Sequence, residues 1–355
     1  MMPVRLPASR IDVVVCTRDR LSMLRQTVEV LRRVVGGHPA ARLVLVDNAS
    51  ADGTADYIAG LAAQDPKVVA LSAPQPGLYH ARAAAIAQFS GDILVFVDDD
   101  VVPAADLLER LDDAFADPAV GVVGAAIGGH YEAPLPGWFL PRFLRDVPVL
   151  PVRGGVEDCV YPCHPPGVCL ALRAAPCLRY YLAPERRVVE LGWGGGALSG
   201  DLMLGGDDTD LCELYARAGY RVVRDSRVRV DHRVIPAKLT PAWVIDKARR
   251  DGHLRVRLAR LRGKPGVCGE TARMLAALPA VAAWRLAWGW AGTDQAPRGG
   301  AILARAYFAK SLGAWRELLW GRRDRRLPYP PDPLPAGVGE GDAARNRPST
   351  DGRSP

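Results

Sequence analysis

Several patterns that would point directly to a function are missing from this chain. No dinucleotide fingerprint follows the first apolar strand. Glycines 77, 154, 155, 192, 194–196 and 205–206 have neither the spacing nor the place for one, which argues against a Rossmann dinucleotide site. No serine stands in a Gly-x-Ser-x-Gly elbow, so an α/β-hydrolase nucleophile is not expected. The cysteines number seven, an odd count, and Met1–Arg10 has no apolar signal core. A disulfide framework is therefore not expected, and a reduced, cytoplasmic setting is. Cys159, Cys163, His164 and Cys169 lie close together but have no second paired knuckle, so zinc is not expected either. The long apolar stretch Met274–Gly292 contains Pro279 and, near its middle, Arg285. The arginine argues against a membrane span. Pairing with a neighbouring basic helix, or peripheral contact with the inner face of a membrane, fits its Trp284, Trp288 and Trp290 better.

What is present is a globular composition. The 355 residues are 49% hydrophobic and 24% charged, enough for one large α/β domain or two modest ones. The formal net charge of +7 suits an anionic partner. Much of the excess lies in Lys247–Arg262 and Arg316–Arg326. Those segments have no nucleic-acid reading motif, so no nucleic-acid partner is expected.

Short buried strands alternate with helices. Strands are predicted at Ile11–Cys16, Leu43–Val46, Lys67–Leu71, Ile93–Val97, Val120–Ile127 and Val168–Leu172. Leu21–Val35 has helical spacing at 21, 24, 28, 31, 34 and 35, and helices are also expected at Asp52–Ala63, Leu78–Phe89 and Ala104–Phe115. This alternation predicts a mostly parallel sheet covered on both faces. Gly128–Pro165 breaks the rhythm and, with Trp138, Phe139 and Phe143, reads as an acceptor-side insertion. Glu190–Gly206 is a glycine-rich loop before a helix that begins near Asp207. Arg221–Val223 and Arg227–Val230 read as two short strands, the second delivering Asp231 and His232. Lys238–Arg262 and Ala301–Trp320 read as helices, and the chain from Pro328 as a disordered tail.

Polar residues gather just past three strand ends: Thr17-Arg18-Asp19, Asp47-Asn48 and Asp98-Asp99-Asp100. Open α/β sheets bind ligands at that edge. Three adjacent ionised carboxylates repel one another and require a cation or a set of donors. Oxygen clusters of this kind hold Mg²⁺ or Mn²⁺ beside a phosphate. His232 is a second ligand candidate, because imidazole suits Mn²⁺ better than Mg²⁺. Arg82 can face a diphosphate. Asp207-Asp208 reads either as first-turn acid at a helix N-terminus or as a base beside a closing loop.

In order, Val13–Arg20, Val46–Ser50, Gly77–Arg82, Phe96–Pro103, Gly206–Leu211, Tyr220–Val223 and Asp231-His232 resemble the motifs of family-2 glycosyltransferases over roughly residues 11–235. Cys16, Arg18 and Asp19 stand where proline, tyrosine and asparagine are usual. Ala83 replaces an asparagine, and Asp207 a glutamate. The resemblance implies the GT-A nucleotide-diphospho-sugar transferase fold and inverting, hexosyltransferase-like transfer. The donor would be a nucleotide-diphosphate sugar, UDP- or dTDP-linked by default. The acceptor would be a lipid-linked glycan or a small-molecule aglycone. Asp208 would be the general base. Asp100 and His232 would hold Mn²⁺ or Mg²⁺, Asp98 and Asp99 would contact ribose and diphosphate, Thr17, Asp19 and Asp47 would line the base and ribose pocket, and Arg82 would approach the pyrophosphate.

The domain reading is a catalytic unit over 1–235, with a nucleotide half at about 11–127 and an acceptor half at about 128–235. A helical extension follows over 236–327, then a tail over 328–355. Two other readings use the same residues: a sugar-phosphate nucleotidylyltransferase, and a non-catalytic nucleotide-sugar-binding protein with the same core.

Overall fold

The structure, a computed structural model, describes residues 8–151, 154–160, 164–182, 206–261 and 295–320. The glycine-rich loop before Gly206, the Trp284–Trp290 stretch and the tail from Pro328 lie outside the described residues.

The first half of the chain alternates strand and helix. Its elements are β1 (Ile11–Thr17), α1 (Leu21–Gly37), β2 (Ala41–Asp47), α2 (Thr54–Gln64), β3 (Val68–Ser72), α3 (Leu78–Gln88), β4 (Ile93–Val97), β5 (Val101–Pro103), α4 (Leu107–Ala114) and β6 (Val120–Tyr131). Then come β7 (Val156–Asp158), β8 (Cys169–Arg173), α5 (Asp207–Arg217), β9 (Arg221–Val234), α6 (Pro241–Leu261) and α7 (Gln295–Trp320). The nine strands among the described residues form one sheet in the order β3-β2-β1-β4-β8-β6-β9-β5, with β7 paired to β9.

Strand residues alternate between two cores because successive side chains point to opposite faces. Ile11, Val13 and Val15 of β1 and Ile93, Val95 and Val97 of β4 join Leu24, Val28 and Leu31 of α1 and Leu107, Leu108 and Leu111 of α4. Val14, Leu94 and Phe96 face the other way, onto Tyr79 and Ile86 of α3 and Leu211, Leu214 and Tyr215 of α5. Both faces are thus covered by helices, as the apolar pattern predicts.

The sheet is mixed, however, where a mostly parallel one is expected. β1 is parallel to β2 and β4, β2 to β3, and β6 to β9. β8 runs antiparallel to both β4 and β6, and β5 and β7 are antiparallel to β9. The sequence of β8 does not reveal this, because a strand buried on both faces has the same apolar run in either direction. The two short strands expected over residues 221–230 are one long strand, β9. Its register against β6 slips between Ala125 and Ala126, where the partner jumps from Asp225 to Arg229. Such a bulge bends a strand and increases its twist.

That bend is required by connectivity. β4 and β5 are four neighbour steps apart in the sheet, about 19 Å at a spacing of about 4.8 Å. The chain joins them through only Asp98, Asp99 and Asp100, a reach of about 14 Å at most from Val97 to Val101. The sheet therefore curls, so that the second half of β9 and its partner β5 return toward the C-terminal end of β4. The acidic triplet is the bridge, which brings His232 near it.

A third core holds α6 and α7. Phe139, Phe143, Val147 and Val149 pack with Val234, Leu239, Val244, Ala248, Ile302 and Ala306. The aromatic stretch expected to face an acceptor contributes Phe139 and Phe143 to this core, where both are buried. Among the described residues, no helix is long and apolar enough to cross a membrane.

Candidate active site

The parallel strands carry the site because they end together. Thr17 and Asp47 are register partners at the ends of β1 and β2, and both are buried. Asn48, just beyond, donates from Nδ2 to the carbonyls of Ala73 (2.9 Å) and Gln75 (2.8 Å), and its Oδ1 accepts the Gly77 N–H at 2.7 Å. It ties the loop after β3 to the start of α3. Asp19 is exposed and has a left-handed backbone, φ +53°. Its Oδ1 accepts the Ala51 N–H at 2.7 Å, bracing the loop after β2.

The triplet is fixed from several sides. The Asp98 N–H donates to the Val168 carbonyl (3.0 Å), and Arg233 donates its N–H to the Asp100 carbonyl (2.8 Å). Thr27 of α1 donates its hydroxyl to the Asp99 carbonyl (2.7 Å). Thr17 donates to Asp99 Oδ2 at 2.7 Å. The Arg20 guanidinium spans two carboxylates, pairing with Asp99 and reaching Asp100 Oδ2 at 2.9 Å.

His232 lies near the C-terminal end of β9, paired to Val101 on one side and Gly129 on the other. Its Nδ1 lies 3.0 Å from the Val147 carbonyl. A carbonyl only accepts, so Nδ1 carries the proton and Nε2 presents a lone pair. Nε2 lies 3.4 Å from Asp100 Oδ1. Lys238, on the short 3₁₀ turn Pro236–Leu239, places Nζ 3.2 Å from Asp100 Oδ2 and 3.3 Å from His232 Nε2.

The environment separates the three acids. Asp98 keeps part of its surface open, yet burial of its carboxyl, then the charge on Asp100, push it up to about 8. Burial also pushes Asp99 up, against Arg20. Asp100 goes the other way. Burial opposes its ionisation, but the charges of Lys238 and Arg20 act against burial, and its carboxyl lies well below the usual carboxylate range.

A second cluster adjoins the first. Arg82 is buried, lies 4.8 Å over the Phe96 ring and forms an ion pair with Asp207. Burial pushes the Asp207 carboxyl up to about 6, against the pull of Arg82. Sequence reading directs Arg82 at a diphosphate; in the structure its charge meets Asp207 and so anchors the first turn of α5. Asp208, one residue on, is half-buried. Its Oδ2 accepts the Gly167 N–H at 2.9 Å and its Oδ1 the Thr209 N–H at 2.7 Å. A Cβ on Gly167 would stand 3.0 Å from Arg82 Nη2 and 3.1 Å from Asp208 Cβ. A side chain there would crowd both residues, so the absence of one lets the segment leading into β8 approach the start of α5.

Asp99, Asp100 and His232 thus come together with Thr17, while Arg82, Asp207 and Asp208 form the adjoining group. Asp98 joins the two groups: the charges of Arg82 and Asp207 act on it as well as that of Asp100. Sequence reasoning missed the counter-charges Arg20 and Lys238 and the contact through Gly167. The one available signal was the triplet's need for positive charge.

Among the described residues, no three His, Cys, Asp or Glu side chains are grouped to hold a metal ion. A two-donor set does fit a hard divalent ion. Octahedral Mg²⁺ keeps several waters and uses one or two carboxylates plus substrate phosphates. Neighbouring ligands at about 2.1 Å from such an ion stand about 3 Å apart, close to the observed separation of Asp100 Oδ1 and His232 Nε2. The Nδ1–H bond to a backbone carbonyl is the usual support for a ligating histidine.

Residues 12–158 match Glycosyl transferase family 2. An uncharacterized protein, y4gI, of Sinorhizobium fredii is 36% identical over 121 residues; the match spans 33% of this chain and only 13% of that protein's length. The solved structure of the mannosyltransferase PcManGT from Pyrobaculum calidifontis, in complex with GDP-Man and Mn²⁺, superposes with a TM-score of 0.56. It shares 22% identity, with 89% of this chain and 88% of that one covered. The segment 12–158 therefore carries the pattern of family-2 glycosyltransferases, on a fold of the GT-A type.

Proposed function

We propose that this chain is a metal-dependent, inverting glycosyltransferase. It moves a sugar from a nucleoside diphosphate to an acceptor hydroxyl, with Asp208 as the general base. The observation that carries the reading is the position of Asp208. It is a half-buried carboxylate oriented by two backbone N–H groups, on the helix turn whose Asp207 pairs with Arg82, itself stacked over Phe96 of β4. The mannosyltransferase of similar fold was solved with a nucleotide sugar and Mn²⁺, which supports both here and adds guanosine to uridine and thymidine as donor bases.

Asp208 Oδ2 takes the proton of the acceptor hydroxyl as that oxygen attacks the anomeric carbon from the face opposite the diphosphate. One displacement with no covalent sugar–enzyme intermediate inverts the configuration. Asp100 and His232 Nε2 would hold the divalent ion, which when bound offsets charge on the departing diphosphate. Thr17 and Asp47, side by side at the strand ends, line the base and ribose pocket with Asp19, and Asp98 and Asp99 face ribose and diphosphate. Arg82 acts through Asp207 as a positioning residue. The acceptor is a lipid-linked glycan or a small aglycone.

Asp208→Asn tests the base. Donor turnover, followed as nucleoside diphosphate release from UDP-, dTDP- and GDP-sugars with Mn²⁺, should fall about 10²- to 10⁴-fold. Nucleoside diphosphate binding should stay within about threefold, because the amide preserves shape. Near-normal turnover would remove Asp208 from the chemistry. Pyrophosphate release from a nucleoside triphosphate and a sugar phosphate would assign the site to nucleotidyl transfer.

A further inference from the structure

The Lys238 ammonium touches both residues assigned to the divalent ion, through the other carboxylate oxygen of Asp100 and through His232 Nε2 itself. Nζ lies 3.2 Å from the Asp100 carboxylate and 3.3 Å from His232 Nε2. The Nδ1–H bond to Val147 leaves Nε2 only a lone pair to offer. An ammonium is a donor only, so Nε2 accepts from Lys238. Arg20 is different. It reaches Asp99 and Asp100 Oδ2 but makes no contact with His232. Among the described residues, Arg20 and Lys238 are the basic groups that touch the triplet, and of these Lys238 bridges the carboxylate and the imidazole.

Its position is built rather than incidental. The 3₁₀ turn Pro236–Leu239 begins two residues after β9 ends, and Leu239 is buried in the third core with Phe143 and Val147. The turn is therefore anchored, while the side chain remains about one-fifth exposed. A lysine head on a flexible four-carbon stem can leave toward solvent without moving the turn.

We propose that Lys238 is a built-in competitor for the divalent ion. Its ammonium neutralises the pair Asp100–His232 and must swing out before a metal ion can take those two donors, so it sets the affinity of the site. The physical reason is that Nε2 has a single lone pair, which cannot serve the ammonium and a metal ion at once, and that a divalent cation between Asp100 Oδ1 and Nε2 would be repelled by an ammonium held on Oδ2 of the same carboxylate. This deepens the metal reading above and rests on it. The consequence runs against the usual result of removing a residue from an active site. Taking Lys238 away should tighten metal binding.

The test is Mn²⁺ binding by the full chain without nucleotide, read as loss of the free-ion electron paramagnetic resonance signal. Lys238→Met keeps most of the stem and removes the charge. It should bind Mn²⁺ at least tenfold more tightly than the parent, and Lys238→Gln should move the same way. Equal or weaker binding in both variants overturns the competitor role. Asp100→Ala introduced into Lys238→Met should abolish the gain. Retention of tight binding in that double variant would place the ion elsewhere and overturn the metal reading itself, separately from Lys238. Failure of parent and variants alike to bind Mn²⁺ would overturn both.

Discussion

Asp207 is buried, and its partner Arg82 is buried with it. Removing one member of such a pair leaves an uncompensated charge, at a cost of about 3–5 kcal/mol. Arg82→Met should therefore lower the melting temperature markedly, and adding Asp207→Asn should recover much of the loss. The pH dependence follows from the direction of the Asp207 shift. Folded Asp207 titrates at about 6, above the ordinary carboxylate value of 3.8, because burial outweighs Arg82. The folded state thus holds the proton longer than the unfolded one, and stability falls as pH rises between those two values. Without Arg82 the folded value moves higher and the fall extends further up. The gap between Arg82→Met and the parent should be small near pH 4 and widest above pH 7, as read by thermal melts across that range. A gap independent of pH would mean that Arg82 matters for packing rather than for the charge on Asp207.

The crossing of α6 and α7 turns on two glycines. A Cβ on Gly252 would stand 1.9 Å from the Lys310 carbonyl oxygen, and one on Gly313 2.0 Å from that of Arg249. Both are backbone contacts, so the helices would have to separate. Gly→Ala in a helix ordinarily gains up to about 1 kcal/mol from propensity, while overpacking costs about 1–3 kcal/mol or more. The steric term should win: Gly313→Ala should lower the melting temperature, and an increase would show that the helices separate easily. Strand and helix placement was largely legible in the sequence, because apolar strands with polar residues at or just past their ends, Thr17, Asp47 and Asp98, announce a shared edge. The reversed direction of β8 was not legible, since Cys169–Arg173 has no outward face to mark it. Nor was the continuity of β9, because the polar Arg224-Asp225-Ser226 separates Arg221–Val223 from Arg227–Val230. Lys238 was hidden for a related reason. It reads as the first residue of a helix, but Pro236 opens a separate turn and Pro241 the helix proper, and a single turn leaves no periodic trace.

Residues on both sides of position 235, where the family resemblance ends, pack into one cluster. Phe139, Phe143 and Val147 lie before it, Leu239, Val244 and Ile302 after it, and all belong to one packed cluster. The backbone agrees, since a Cβ on Gly299 of α7 would meet the Trp138 carbonyl oxygen at 2.4 Å. The same cluster supports the site. Val147 orients the His232 imidazole, and the turn that follows β9 carries Lys238. Fully burying one large aliphatic or aromatic side chain contributes about 1.5–3 kcal/mol, so uncovering several at once is comparable with the 5–15 kcal/mol that holds a typical domain together. A chain cut after Ile235 should therefore bind a hydrophobic dye, elute as aggregate on size exclusion and lose the Mn²⁺-assisted binding of nucleoside diphosphate that the whole chain is proposed to have. A cut chain that melts cooperatively as a monomer and binds nucleotide like the parent would establish that the helices are an appendage. Loss of nucleotide binding with a normal melt would place their contribution at His232 and Lys238 rather than in the core.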